Sequence, residues 1–200
     1  MNLREAKPFD PTGLLPDSGM LHLFLDLYNL PYDDPFWSHE YIQLENWTNR
    51  FTYFDGDLTS LRKAALPAFL TDESDEYGLL HFPACAVRFS RELSLEYGYD
   101  AGMDALDLTQ AESIAYETVY GNEHHPADGT HVPHHQLFGN PFYVQGPTRP
   151  SNDWLLLLQI DWDPEIGLNM GDAGVVHLWI RGADLAARNF NRMRLDLDMS

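Results

Sequence analysis

The sequence predicts an α+β fold of mostly antiparallel strands, arranged as two related lobes with one principal helix. Three observations lead there. The stretch Asn152–Phe190 holds two apolar runs of strand length, Trp154–Asp161 and Val175–Arg181, separated by an acidic loop and followed by a short helical turn opening at Ala183. Thr109-Gln-Ala-Glu112 is a capping box opening a segment whose Ile114, Ala115, Thr118 and Val119 recur at helical spacing. Asp17-Ser-Gly-Met-Leu-His-Leu-Phe-Leu25 echoes Asp172-Ala-Gly-Val-Val-His-Leu-Trp-Ile180, identical at Asp, Gly, His and Leu. Such an echo marks two copies of one strand, loop, strand unit, the first lacking the counterpart of Trp154–Gln159.

The elements follow in order. Residues 1–17 are rich in proline and turn formers, and a strand is expected over about Gly19–Leu27. Pro31–Asn46, with two prolines and scattered aromatics, suits an ordered loop packed by its own side chains. Arg50–Phe54 alternates as a strand and stops at the Asp55-Gly56 turn. Leu58–Ala65 has helical character, with Asp57 or Thr59 as N-cap and Pro67 ending it. An acidic surface loop fills Leu70–Gly78, and Leu79–Leu95 alternates well enough for one or two strands. The principal helix is expected over Gln110–Tyr120, with Gly121 as its stop. The His-, Pro- and Gly-rich stretch that follows connects lobes of about 1–121 and 136–200 within a single domain, 1–200. The expected core comprises Leu23, Leu25, Phe54, Val87, Ile114, Leu156, Leu158, Ile160, Val176, Leu178 and Ile180.

Composition narrows function more than it names it. A content of 44 % hydrophobic and 13 % aromatic residues supplies one sizeable core. A net charge of −19 repels phosphate backbones and anionic lipids and favours a basic protein partner, so neither nucleic acid nor membrane is expected as a ligand. No apolar run reaches the ~18 residues of a membrane span, and the N-terminus has no apolar signal region, which points to the cytoplasm. Cys85, the single cysteine, lies in the apolar run FPACAVRF and reads as a small core residue.

Candidate chemistry is sparse. His124, His125, His131, His134 and His135 fall within twelve residues and could ligate zinc, copper or nickel, although their spacing is not diagnostic. Asp161, Asp163, Glu165 and Asp172 take positions 1, 3, 5 and 12 of a calcium loop, but Ile166 stands where that loop requires glycine, so a solvated acidic loop is the better reading. Neither a nucleophile elbow, a His-Glu-x-x-His pair nor a phosphate-cradling glycine loop is present. No catalytic residue and no cofactor are therefore expected. The candidate partner-binding residues are Asp161, Asp163 and Glu165 in the acidic loop, with Trp37 and Tyr41 in the aromatic loop.

The stretch LLLQIDWD with MGDAGVVHLWIRGADLAARNFNR resembles the YwqG-like family of uncharacterised, mainly bacterial proteins. Leu15-Pro-Asp-Ser-Gly19, Tyr53-Phe-Asp-Gly56, Phe82-Pro-Ala-Cys85 and His135-Gln-Leu-Phe-Gly139 extend the likeness over nearly the whole chain. It departs at Met170, where family members commonly carry tryptophan, and ahead of Asn2-Leu3, where they usually carry a further segment ending in a strand. The resemblance implies no activity or catalytic residue; it suggests a small cytosolic protein of the kind found beside toxin and immunity genes. The expected function is a non-catalytic, acidic, immunity-like protein-binding module, with self-association through an open strand edge near Leu21–Leu25 as a further expectation. A metal-dependent enzyme using the His124–His135 loop is the alternative.

Overall fold

The structure, a computed structural model, describes residues 1–25, 50–65, 84–96, 106–124, 132–145, 149–168 and 174–198, with the backbone alone for Arg50 and for 120–124. It is a mixed α+β arrangement with two small antiparallel sheets. β1 (Met20–Phe24) pairs with β2 (Arg50–Phe54), Met20 opposite Phe54 and Phe24 opposite Arg50. β3 (Trp154–Ile160), β4 (Val175–Arg181) and β5 (Arg194–Asp198) form the second sheet with β4 in the middle. The two runs that lead the sequence reading are thus adjacent strands, and Gly182–Ala186 is the short helix expected after them.

β5 escaped the sequence reading. Its Arg-Leu-Asp-Leu-Asp alternates with period two, but all of its side chains are buried, the charged ones included. Leu195 and Leu197 enter the main core while Arg194, Asp196 and Asp198 take the other face. Leu3–Ala6, read as turn chemistry, is instead a single helical turn capped by Asn2, whose side chain accepts the Arg4 N–H.

One core joins both sheets. Leu3, Ala6, Leu15, Leu21 and Phe51 cluster with Leu157, Val176, Leu178, Ile180, Leu185, Phe190, Met193, Leu195 and Leu197. Of the expected core, Leu156, Val176, Leu178 and Ile180 are fully buried, and Leu23, Leu25, Leu158 and Ile160 pack against the cluster while partly buried. Phe54 is also partly buried. Val87 and Ile114 are not core residues, being 77 % and 56 % exposed. Val87 lies in a described segment without a strand, and the helix that carries Ile114 leaves that residue uncovered. Residues 84–96 carry no strand where one was expected, and Cys85 is exposed with them.

The capping box forms as the spacing predicts, the Thr109 N–H donating to the Glu112 carboxylate at 2.8 Å and the Glu112 N–H to Thr109 Oγ1 at 3.4 Å. The helix it opens runs Gln110–His124, through Gly121 rather than stopping there. A mid-helix glycine costs only ~1 kcal/mol, too little to end a helix already nucleated. Tyr116 anchors the helix by donating its hydroxyl to the Glu96 carbonyl, and Ile114 and Val119 face solvent. Leu58–Ala65 shrinks to one 3-10 turn, Leu58–Ser60, capped by Asp57, beyond which the chain is extended at Leu61.

The edge of β1 away from β2 is not open at Leu21. The Met1 ammonium donates to the Leu21 carbonyl at 2.6 Å, the Leu21 N–H donates back to Met1, and the Leu3 N–H donates to Gly19. Gly19 sits at φ +107°, and a Cβ there would come within 2.6 Å of the Tyr53 ring and 2.8 Å of the Phe54 carbonyl oxygen. Gly19→Ala is expected to lower stability by about 2–4 kcal/mol, measured by denaturant unfolding; Gly13→Ala, also at positive φ but in open space, should cost less than half as much.

Candidate functional site

The site grows from a fault in β3. Leu156 stands opposite Trp179 and Leu158 opposite Leu178, so Leu157 is an extra residue, a β-bulge. Before the bulge Trp154 and Leu156 lie on the face away from the main core; after it, Gln159 and Asp161 do, while Leu157, Leu158 and Ile160 all turn to the core. Four consecutive leucines gave no sequence signal for the change of parity.

The outer face is polar and aromatic. Gln159, His177 and Asp196 are register neighbours across the three strands, and Trp179 lies beside Arg194 on one side and Leu156 on the other. Tyr143, Trp154, Leu156 and Trp179 form a second, smaller apolar cluster on this face. Gln159, Asp161, His177, Arg194, Asp196 and Asp198 are all buried, Gln159 and His177 completely.

These groups are directed at main chain. The Gln159 side chain accepts from the Phe142 N–H at 2.9 Å and donates to the His134 carbonyl at 2.9 Å. His177 Nε2 lies 2.8 Å from the Phe142 carbonyl, an acceptor only, so Nε2 carries the proton. Burial holds its pKa down to about 4, which keeps the ring neutral at physiological pH. The Asp198 carboxylate accepts from the Val144 and Gln145 N–H groups at 2.7 and 3.1 Å, yet burial pushes its pKa up. Residues 134–145 are thereby laid along the sheet, with Gln136 exchanging backbone hydrogen bonds with Gln159.

Several expected site residues take structural places here. Asp161, expected in a solvated loop, is 3 % exposed and accepts the His134 N–H at 2.8 Å. His135 Nδ1 accepts the Asp161 N–H at 3.1 Å, so its Nε2 proton faces Asp163 Oδ2 at 3.3 Å. Both ring nitrogens are occupied, and the ring is not arranged as a metal ligand. Asp163 also accepts the Glu165 N–H and exchanges backbone bonds with Leu168, closing a tight turn on which Glu165 is exposed. Among the described residues no three His, Cys, Asp or Glu side chains are placed to hold a metal ion. The His124 side chain, His125, His131, Asp172, Trp37 and Tyr41 lie outside the described residues.

The residues that sequence reasoning missed, Gln159, His177, Arg194, Asp196 and Asp198, share one signal: a polar letter inside a strand whose neighbours are all apolar. The same pattern also marks an ordinary solvent-facing position, as at the exposed Thr52 of β2, so the letters alone do not separate the two; where such a residue is buried it is held by partners.

Residues 1–198 match a family described as a domain of unknown function, DUF1963. No curated protein matches the chain. No helix among the described residues is long and apolar enough to cross a membrane.

Proposed function

The chain belongs to the DUF1963 family, and we propose that it is a YwqG-like, cytoplasmic, non-catalytic binding module, immunity-like in that it covers a basic surface on another protein. The observation that carries this reading is how the buried titratable groups are used. His177, Asp161 and Asp198, which in an enzyme would face a substrate, hydrogen-bond the backbone of 134–145 and hold that segment in place. The chain carries 31 acidic against 12 basic residues, and among the described residues Glu165, Asp17, Asp55 and Asp57 are exposed. Long-range attraction then favours a cationic partner and weakens with salt.

The reading is tested by pull-down from the native host at low and high salt, with mass spectrometry of what is captured. The expected result is a basic protein whose capture falls several-fold as salt rises and falls again in an Asp163→Lys, Glu165→Lys variant. Recovery of an acidic or salt-insensitive partner would remove the electrostatic argument. Metal analysis of untagged protein supplies the second arm. A stoichiometric transition metal, lost in His134→Ala, His135→Ala, would replace this reading with a metal-dependent enzyme.

A further inference from the structure

Three of the chain's twelve basic residues gather on the outer face of the second sheet, around its two tryptophans. Arg181 lies 5.1 Å from the Trp154 ring centroid and pairs with Asp153 at 3.1 Å. Arg194, beside Trp179 in register, is buried and holds Asp196 at 2.8 and 2.9 Å. Arg149 is different. Its guanidinium lies 5.9 Å over the Trp179 ring, its Nε is buried without a hydrogen-bond partner, and among the described residues no carboxylate pairs with it. The outer nitrogens of a side chain that is itself only partly buried remain open to solvent. Beneath it, Trp179 is fully buried, and its indole Nε1 likewise has no hydrogen-bond partner.

A desolvated donor without an acceptor is costly, and more so on a cation that has no paired counter-charge. Two such donors on adjoining groups mark a place where an acceptor belongs. We infer that Arg149, held over the Trp179 ring, forms a binding site for a carboxylate. The guanidinium fork matches two coplanar oxygens, and the Trp179 ring beneath holds the fork in plane. Tyr143 and Trp154 pack around Trp179 in the buried cluster and so fix the ring that the guanidinium covers. The net charge of −19 disfavours a dianion such as phosphate more than a monocarboxylate. This site is separate from the acidic surface of the proposed function and does not depend on it.

The test follows the indole N–H signals of the five tryptophans by NMR, with Trp179→Phe identifying the Trp179 signal. Benzoate is the probe, with benzamide and inorganic phosphate in parallel. Benzoate is expected to shift the Trp179 signal saturably, Arg149→Gln to weaken that binding at least about tenfold while leaving the apo spectrum folded, and Arg149→Lys to weaken it less. Benzamide is expected to leave the signal unmoved. Absence of a saturable benzoate shift, equal binding by benzamide, or undiminished binding in Arg149→Gln would each overturn the proposal. Phosphate binding as tightly as benzoate would overturn its assignment to a carboxylate.

Discussion

Replacing Gln159 with leucine is expected to lower stability by about 2–4 kcal/mol and to release residues 134–145 from the sheet. Leucine fills much of the same volume, so the loss comes from hydrogen bonding. The Phe142 N–H and the His134 carbonyl each lose the partner that Gln159 provides from a completely buried position. Denaturant unfolding gives the magnitude, and amide hydrogen exchange gives the location: protection should fall at Gln136, Phe138 and Phe142 and persist at Val176 and Leu178 in β4. Glu165→Leu, on the exposed turn, should change stability by less than about 0.5 kcal/mol. A uniform loss of protection across all these amides would show that Gln159 supports the whole sheet rather than the 134–145 segment.

His177 gives the second large effect, and its sign is set by which state binds the proton. Folded, the ring titrates at about 4 because it is buried; unfolded, it returns to the ordinary value of 6.5. Between those values the unfolded chain takes up a proton that the folded chain does not, so stability falls as pH falls. The full effect of His177 is present above the unfolded value and is lost progressively down to the folded one. Between about pH 7.5 and pH 5 the loss attributable to this residue is about 2 kcal/mol. Asp198 acts in the opposite direction at the lower end: its raised pKa means the folded state binds its proton first, which adds stability as pH falls toward the ordinary carboxylate value of 3.8. His177→Gln retains a side-chain donor for the Phe142 carbonyl but cannot titrate, so its unfolding free energy should be flatter than the parent's over the same interval. Equal slopes in parent and variant would show that other groups set the acid sensitivity.

Where the sequence was legible, pattern and chemistry agreed. Arg50–Phe54 and Val175–Arg181 are strands with the bounds the alternation and turn residues imply, and Thr109 and Glu112 close the capping box that their spacing announces. Where it was not legible, burial was decided by partners far along the chain. Ile114 and Val119 lie on one side of a helix that is packed too little to cover them, a fact absent from the helix's own letters. Cys85 and Val87 sit in an apolar run that, among the described residues, pairs with no strand, and both are exposed. Conversely, Asp161 reads as part of a solvated loop and Asp198 gives no signal of its own; the amides of His134, Val144 and Gln145 help to make their burial tolerable. The acidic loop reads as solvated, whereas Asp161 faces inward, Asp163 braces the turn and Glu165 alone of the three is exposed.

The bulge at Leu157 also bears on how this chain is to be compared with its relatives. Removing any one of Leu155, Leu156, Leu157 or Leu158 yields the same shortened sequence, so an alignment can place a one-residue gap anywhere in the run with equal merit. Only the strand pairing distinguishes the four, and it assigns the surplus to Leu157. With that residue gone, Trp154, the second remaining leucine, the glutamine and the aspartate would fall on one face by plain alternation, the first three against their present partners on β4. A family member one leucine shorter would therefore keep the inward and outward assignments of its strand. It would give up a buried leucine and the local twist that an extra residue brings. Length variation at this point is evolutionarily permissible in a way that a single-residue gap beyond Gln159, which would exchange the faces of everything after it, is not.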